Sequence, residues 1–332
     1  MLMLSLDVRI ELLVKLGQYM CSDDAEWAEI QYRAVAANAW FTPDAVKSAV
    51  ENIAAAFLQK DKLQAWVSGY KLPTTPKLVG IVMAGNIPLV GFHDMLCGFI
   101  AGHDLMLKLS SKDEVLMKHL VAKLCEWEPQ LTGHLQTSDM LKGCDAYIAT
   151  GSNNTARYFE QYFARFPHLI RKNRTSIAIL DGSETDEELV ALSSDVFSYM
   201  GLGCRNVTQI CVPKGYNFDK LMQVFDRYHD VVNHNKYKNN YDYYLAIYLL
   251  NLVPYLTNGA LLMVESELPF SAVSVLHYRY YDDKEALVQS MTGRDDIQCI
   301  VGAGHVPFGE AQHPQLNDYP DGVDTMAFLC GL

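Results

Sequence analysis

Cys204 is the residue of greatest chemical consequence in this sequence. It lies in Ser-Tyr-Met-Gly-Leu-Gly-Cys-Arg-Asn-Val-Thr-Gln-Ile-Cys-Val-Pro, residues 198–213. Gly201 and Gly203 flank Leu202 just before the sulfur, and a β-branched run follows. Glycine permits a sharp turn and the close approach of a ligand. A thiol on such a turn can meet a carbonyl carbon, and its own backbone N–H can help to hold the oxyanion that forms. The thiolate is the nucleophile, so the site must also depress the thiol pKa or supply a base. Arg205 favours the thiolate if its guanidinium faces the sulfur, and does nothing if it points away. Taken alone, the stretch also fits a small buried hydrophobe in a tight turn, the commoner fate of a cysteine.

Three further signals lie upstream, each after an apolar run of strand length. In Ala84-Gly85-Asn86-Ile87-Pro88 the Asn86 amide can cap the next helix, which spacing alone favours, or donate to a developing oxyanion. In Leu107-Lys108-Leu109-Ser110-Ser111 the Lys108 ammonium can hold a ribose or phosphate, or simply be solvated. In Ala149-Thr150-Gly151-Ser152-Asn153-Asn154 a Gly-Ser turn at a helix start offers N–H groups and a favourable dipole to phosphate. It is neither a GxGxxG nor a P-loop motif. Each is weak alone; three at equivalent places in consecutive β-α units favour a nucleotide site.

The elements that must position these residues follow from periodicity. Residues 1–75 read as helical: Leu12, Leu13, Leu16 and Met20 make one apolar face. Thr42-Pro43-Asp44 starts a helix bearing Val46, Ala49, Val50, Ile53 and Phe57. From Pro76 strands alternate with helices: strands at 77–84, 104–109 and 144–149, helices at 88–101, 113–127 and 154–165, with Gly102 as a helix stop. A second series has strands at 176–181, 207–212, 261–264, 272–280 and 298–301, and helices at 184–199 and 218–228. Residues 233–244, rich in Asn, Lys and Tyr, read as a surface loop or mobile segment. Alternation of this kind implies parallel sheets, with ligands at the C-terminal strand ends.

The chain has 332 residues, half of them hydrophobic, enough for two domains. Its 27 basic and 39 acidic residues give a net charge of −12, which disfavours nucleic acid or an anionic membrane surface as main partner. The eight cysteines form no CxxC pair and suit a protein with reduced thiols. Charges at Asp7, Arg9 and Glu11 interrupt any signal-peptide core, and no stretch is apolar enough to span a bilayer, so the expected compartment is the cytoplasm. His93, His103 and His119 lack metal-ligand spacing, and no metal is expected. His305 lies before the final segment and has no clear catalytic role, and Cys211 reads as core. The tyrosines between 228 and 281 suit an acyl pocket or a subunit contact.

Asn86 in Gly-Asn-Ile-Pro, Lys108 with Ser110, Gly151-Ser152 and Gly203-Cys204 occur in the order and approximate spacing of the aldehyde dehydrogenase superfamily, which the chain resembles. The closer resemblance is to its acyl-CoA reductase branch, the LuxC-like fatty acid reductases. It is carried by Val82-Met83-Ala84-Gly85-Asn86-Ile87-Pro88, by Arg171-Lys172-Asn173-Arg174, and by Asp318-Tyr319-Pro320-Asp321-Gly322-Val323-Asp324-Thr325-Met326, and it covers nearly all of the chain after about residue 70. It implies an α/β fold of two Rossmann-like three-layer domains with parallel sheets. The domains would be a cofactor-binding domain (76–168, with a return segment 305–332) and a catalytic domain (169–304), preceded by an N-terminal helical segment (1–75).

The resemblance also implies roles. Cys204 would take an acyl group from a thioester, release coenzyme A and pass the acyl carbon to the aldehyde by hydride from NADPH or NADH. Asn86 and the Cys204 N–H would form the oxyanion hole. Lys108 and Ser110 would contact the adenosine ribose or its phosphate. Gly151 and Ser152 would line the pyrophosphate, with Thr150 beside them in the coenzyme site, and Glu267 would hold the nicotinamide ribose. Its motif departs from the superfamily, since Pro269-Phe270-Ser271 follows it. Aldehyde oxidisers carry a glutamate base where this chain has Leu169, within His168-Leu169-Ile170-Arg171. Hydrolysis of an acyl-cysteine should then be slow, which favours reduction, although the neighbouring His168 is an alternative base. Ser111 stands where NAD-preferring relatives often place a glutamate; with Lys108 and Lys112 near, this favours NADPH, while Asp113 argues the other way. An acyl-transferring partner subunit and a homo-oligomer are further possibilities. The competing functions are a thioesterase or acyltransferase using Cys204 without redox, an aldehyde oxidiser, and a non-catalytic acyl carrier or structural subunit.

Overall fold

The computed structural model describes residues 4–332, and these divide into two compact units. One runs to Asn173 and takes in Pro314–Leu332; the other is Arg174–His313.

The first unit opens with four helices, α1 (Leu6–Met20), α2 (Ala25–Ala37), α3 (Pro43–Phe57) and α4 (Lys60–Val67). Three begin on a side chain that takes up a helix N–H: Ser5 accepts from Val8, Asp24 from Trp27 and Thr42 from Ala45. Pro43 follows its cap in the first turn, where a missing N–H costs nothing. The expected apolar stripes of α1 and α3 are buried, which is how an amphipathic helix gains most of its stability.

Five strands follow: β1 (Leu78–Val82), β2 (Asp104–Lys108), β3 (Leu135–Thr137), β4 (Ala146–Thr150) and β5 (His168–Arg171). They form a wholly parallel sheet in the order β3-β2-β1-β4-β5. The crossovers include α5 (Phe92–Ala101), α6 (Glu114–Trp127) and α7 (Asn153–Phe163). Because the strands are parallel, the loops after β1, β2 and β4 all leave from one edge, where open α/β sheets bind ligands. α5 is buried along its whole length and ends on Gly102 at φ 86°, the left-handed stop that glycine supplies. Helix α5 starts four residues later than its periodicity predicts. Leu89 is left-handed at φ 57° and Gly91 holds the cap position, so 88–91 turn before the helix begins. Strands β3 and β5 were not expected; both are too short to show an alternating pattern.

In the second unit the elements are β6 (Thr175–Ile179), α8 (Asp186–Phe197), β7 (Val207–Pro213), α9 (Asp219–Phe225), α10 (Asn235–Leu250), β8 (Leu256–Thr257), β9 (Leu262–Glu265), β10 (Val275–Tyr281), α11 (Lys284–Met291) and β11 (Ile297–Gly302). The sheet order is β11-β6-β7-β10-β9-β8. Every pairing is parallel except β8 with β9, so this sheet is mixed. The reversal is local: Asn258 Oδ1 accepts the N–H groups of Ala260 and Leu261, and Gly259 sits at φ 87°, a tight turn that only antiparallel strands can share.

Residues 233–244 are not a loop. His234 caps α10 by accepting from Tyr237, and Tyr237 and Tyr241, one turn apart, are buried. The Asn- and Lys-rich remainder is the solvated face, with Lys238 and Asp242 ion-paired along it. Among the described residues no helix is long and apolar enough to cross a membrane.

Candidate active site

In the second unit Cys204 sits on the turn between α8 and β7. After α8 the chain passes through three successive left-handed residues, Tyr199 (φ 51°), Met200 (φ 55°) and Gly201 (φ 77°). Glycine adopts this conformation freely, but for tyrosine and methionine it costs roughly 1–2 kcal/mol each. The strain is held by Asn206, which is fully buried. Its Oδ1 accepts the Gly203 N–H at 2.8 Å. Its Nδ2 donates toward three carbonyls at the end of α8: Ser198 at 2.7 Å, Asp195 at 3.0 Å and Val196 at 3.3 Å. Two N–H bonds are thus shared among three carbonyls that a helix end would otherwise leave unsatisfied. The Asn206 N–H donates in turn to the Gly203 carbonyl at 3.1 Å. Cys204 itself is half-buried. Its carbonyl accepts from the Ser176 hydroxyl at 3.1 Å, and that hydroxyl lies 3.0 Å from Cys299 Sγ.

The same network reaches the loop of Glu267. Thr208 donates to the Pro269 carbonyl at 2.6 Å and meets the Thr175 hydroxyl. Buried Gln209 donates to the carbonyls of Ser266 at 2.9 Å and Leu268 at 3.2 Å. His277 Nδ1 donates to the Leu268 carbonyl at 2.8 Å, and burial lowers its pKa. Glu267 is exposed, and Arg279 holds its Oε2 at 2.9 Å. On the far side of α8, buried Asp195 accepts from the N–H groups of Gly309 at 2.7 Å and Ala311 at 3.0 Å; burial raises its pKa to about 6 against those two bonds. Cys211 is core, as expected: burial pushes its thiol to about 12. His305 is exposed.

In the first unit the loops after β1, β2 and β4 bring Asn86, Lys108, Ser110, Thr150, Gly151 and Ser152 to one sheet edge. Asn86 is exposed and does not cap α5, whose cap position is Gly91 with no side-chain bond; the capping expectation is overturned because the intervening residues turn. Lys108 is exposed at the end of β2, and its carbonyl accepts from Met83 at 2.9 Å. Gly85 is required: a Cβ there would stand 2.6 Å from Ser110 Oγ. Ser152 caps α7, accepting from the Thr155 N–H at 3.3 Å. A Cβ on Gly151 would meet Thr155 and Phe159 at 3.0 and 3.1 Å. This edge fits a dinucleotide: a parallel-sheet switch region, a helix N-terminus, an exposed lysine, and glycines where backbone packs closely.

Sequence reasoning missed Asn206 and the burial of Asp113. Asp113 is buried and holds the N-cap position of α6, yet makes no cap bond. Its Oδ2 accepts instead from the Leu89 N–H at 2.7 Å, and burial raises its pKa to about 8. His168 begins β5 with Nδ1 donating to the Phe166 carbonyl at 2.8 Å. Leu169 packs on the core of the first unit. The other two motif segments prove to be one structural lock: Arg171 bonds Asp94 at 2.7 Å, Thr325 Oγ1 at 2.8 Å and the Pro320 carbonyl at 3.1 Å. His93, His103 and His119 are buried, bonded respectively to the Leu316 carbonyl, the Leu329 carbonyl and the Tyr19 hydroxyl.

Three comparisons with known proteins bear on this geometry. The family model of acyl-CoA reductase (LuxC) matches residues 18–219. No curated protein sequence matches the chain. Solved structures with a similar fold include an NAD-dependent aldehyde dehydrogenase from Sinorhizobium meliloti, 14% identical over 90% of this chain and 70% of that one, with TM-score 0.66. Aldehyde dehydrogenase 21 from Physcomitrella patens, in complex with succinate, is 12% identical over 90% and 74%, with TM-score 0.69. An aldehyde dehydrogenase from Mycobacterium tuberculosis complexed with NAD+ is 15% identical over 86% and 70%, with TM-score 0.59. At such identities the structures speak for the fold and the family model for the lineage. The chain belongs to the acyl-CoA reductase (LuxC) family, with the aldehyde dehydrogenase fold, and is a nicotinamide-dependent oxidoreductase of aldehyde chemistry.

Proposed function

We propose that the protein reduces a fatty acyl thioester to the aldehyde through an acyl-cysteine at Cys204. The observation that carries this reading is the strained turn clamped by Asn206, which fixes a half-buried thiol at the head of β7. The Cys204 thiolate attacks the thioester carbonyl, a C–S bond forms, and the coenzyme A thiolate leaves as the tetrahedral oxyanion collapses. By the family resemblance, the Cys204 N–H and the Asn86 amide would hold that oxyanion. The nicotinamide coenzyme, when bound, supplies hydride to the acyl carbon. The resulting hemithioacetal oxyanion on Cys204 collapses, the C–S bond breaks, and aldehyde leaves with the Cys204 thiolate regenerated, while the released coenzyme A thiolate takes its proton from water. Leu169, an apolar residue where oxidising relatives carry a base, supports reduction over hydrolysis.

Lys108, Ser110, Thr150, Gly151 and Ser152 would hold the coenzyme in the first unit, and Glu267, steadied by Arg279, its nicotinamide ribose. NADPH is the favoured form. Ser111 and Lys112 are exposed on the loop after β2, whereas Asp113, the carboxyl that would oppose a 2′-phosphate, is buried against Leu89.

The test is loss of reduced-nicotinamide absorbance with a panel of acyl-CoAs, run with NADPH and NADH and with Cys204→Ala as control. Acyl-CoA-dependent oxidation that vanishes in the variant is the expected result. Thioester cleavage without nicotinamide oxidation would replace this reading with a thioesterase or acyltransferase.

A further inference from the structure

We propose that Asp113 is a positioning residue for coenzyme binding, whose buried carboxyl fastens the loop after β1 to the loop after β2 and so fixes where Lys108 and Ser110 are presented. The proposal rests on the reading that this edge holds the dinucleotide.

Aspartate is among the strongest N-cap residues, and leaving a cap unmade costs about 1 kcal/mol. Asp113 holds that position on α6 but makes no cap bond. Its carboxyl reaches across to the Leu89 N–H at 2.7 Å instead. Leu89 is 2% exposed and left-handed at φ 57°, a conformation that persists only where its surroundings enforce it. The two loops also touch at Gly85, whose Cβ would lie 2.6 Å from Ser110 Oγ and 3.2 Å from Asp113 Cβ. Within the second loop the Asp113 N–H donates to the Ser110 carbonyl at 3.0 Å, and the Lys112 N–H to Ser110 Oγ at 3.3 Å. Asn38 anchors the loop from α2's end, donating to the Lys112 carbonyl at 2.9 Å. The Asp113 side chain thus spans from the second loop to the first. It is 4% exposed, and its Oδ1 has no partner among the described residues. Burial raises its pKa to about 8, so a negative charge on the latch beside a bound phosphate is disfavoured near neutral pH.

The experiment measures the NADPH dissociation constant of the full chain by quenching of tryptophan fluorescence, with the melting temperature alongside. Asp113→Ala is expected to weaken NADPH at least tenfold. Asp113→Asn, which keeps an acceptor for the Leu89 N–H, is expected to stay within about threefold of wild type. Gly85→Ala pushes the loops apart by crowding Ser110 and the Asp113 Cβ while leaving the Asp113 carboxyl in place, and is expected to weaken binding several-fold even if Asp113→Ala fails to fold. Alkylation of Cys204 should be unchanged in all three. A lower melting temperature in Asp113→Ala with unaltered NADPH affinity, or wild-type affinity in Gly85→Ala, overturns the proposal alone. No NADPH binding by the wild-type chain overturns the coenzyme reading and the proposal with it.

Discussion

The turn that carries Cys204 and the loop that carries Asn86 both contain left-handed residues other than glycine, and each is fastened by one buried polar side chain. The fasteners differ in chemistry. Asn206 is a neutral amide whose oxygen and nitrogen both find backbone partners. Asp113 is an acid with one oxygen bonded and the other without a partner among the described residues. A satisfied amide holds its geometry at any pH. A half-satisfied carboxyl is sensitive to its own proton, because ionising it in an apolar setting is costly. The Asn206 clamp therefore has no proton of its own to lose, whereas the Asp113 latch has one.

The largest way to break this comparison is to give the first clamp the chemistry of the second. Asn206→Asp is nearly isosteric and keeps an acceptor for Gly203, but it loses both N–H donors and faces the carbonyls of Asp195, Val196 and Ser198 with lone pairs. A buried, unpaired group of this kind costs about 3–5 kcal/mol. Denaturant unfolding should show that loss, and iodoacetamide should alkylate Cys204 with an altered rate. A variant as stable as wild type would mean that Asn206 does not restrain the turn.

A middle-sized effect comes from giving Asp113 an amide. Its folded pKa is about 8 against 3.8 for the free side chain. Between those values the folded chain keeps a proton that the unfolded chain releases, so this group's contribution to stability falls as pH rises from about 4 to about 8 and is level above. Asp113→Asn removes the dependence. Its melting temperature relative to wild type should climb across that window and then flatten, with a gain of order a few kcal/mol at most. A pH-independent difference would show that the carboxyl is not held protonated.

Much of this was legible in the sequence because it is local. Thr42-Pro43 announces α3, Gly102 ends α5, and Gly201 and Gly203 announce the turn before Cys204. What escaped is long-range. The partners of Asn206 lie a turn or more upstream, on a helix end whose carbonyls become acceptors only once the chain has doubled back. Asp113 carries a correct local signal for a helix cap, and a tertiary contact overrides it. The polar composition of 233–244 suggested a loop because the two buried tyrosines of α10 are outnumbered by residues on its solvated face.

The smallest effect probes the strain that the Asn206 clamp holds. Met200 at φ 55° is half-buried and left-handed, a state that costs a methionine roughly 1–2 kcal/mol and a glycine nothing. Met200→Gly removes that cost, but it adds backbone entropy to the unfolded chain, about 0.5–1 kcal/mol, and loses some packing. The balance is a stabilisation of no more than about 1 kcal/mol, a shift of ~2 °C in a chain of this size. The informative readout is the pairing of two numbers. If strain helps to aim the thiol, the melting temperature rises slightly while Cys204 alkylation or turnover falls, because a relaxed turn samples more orientations. If both stay as in wild type, Asn206 alone sets the turn, and the left-handed residues merely follow the path that its amide imposes.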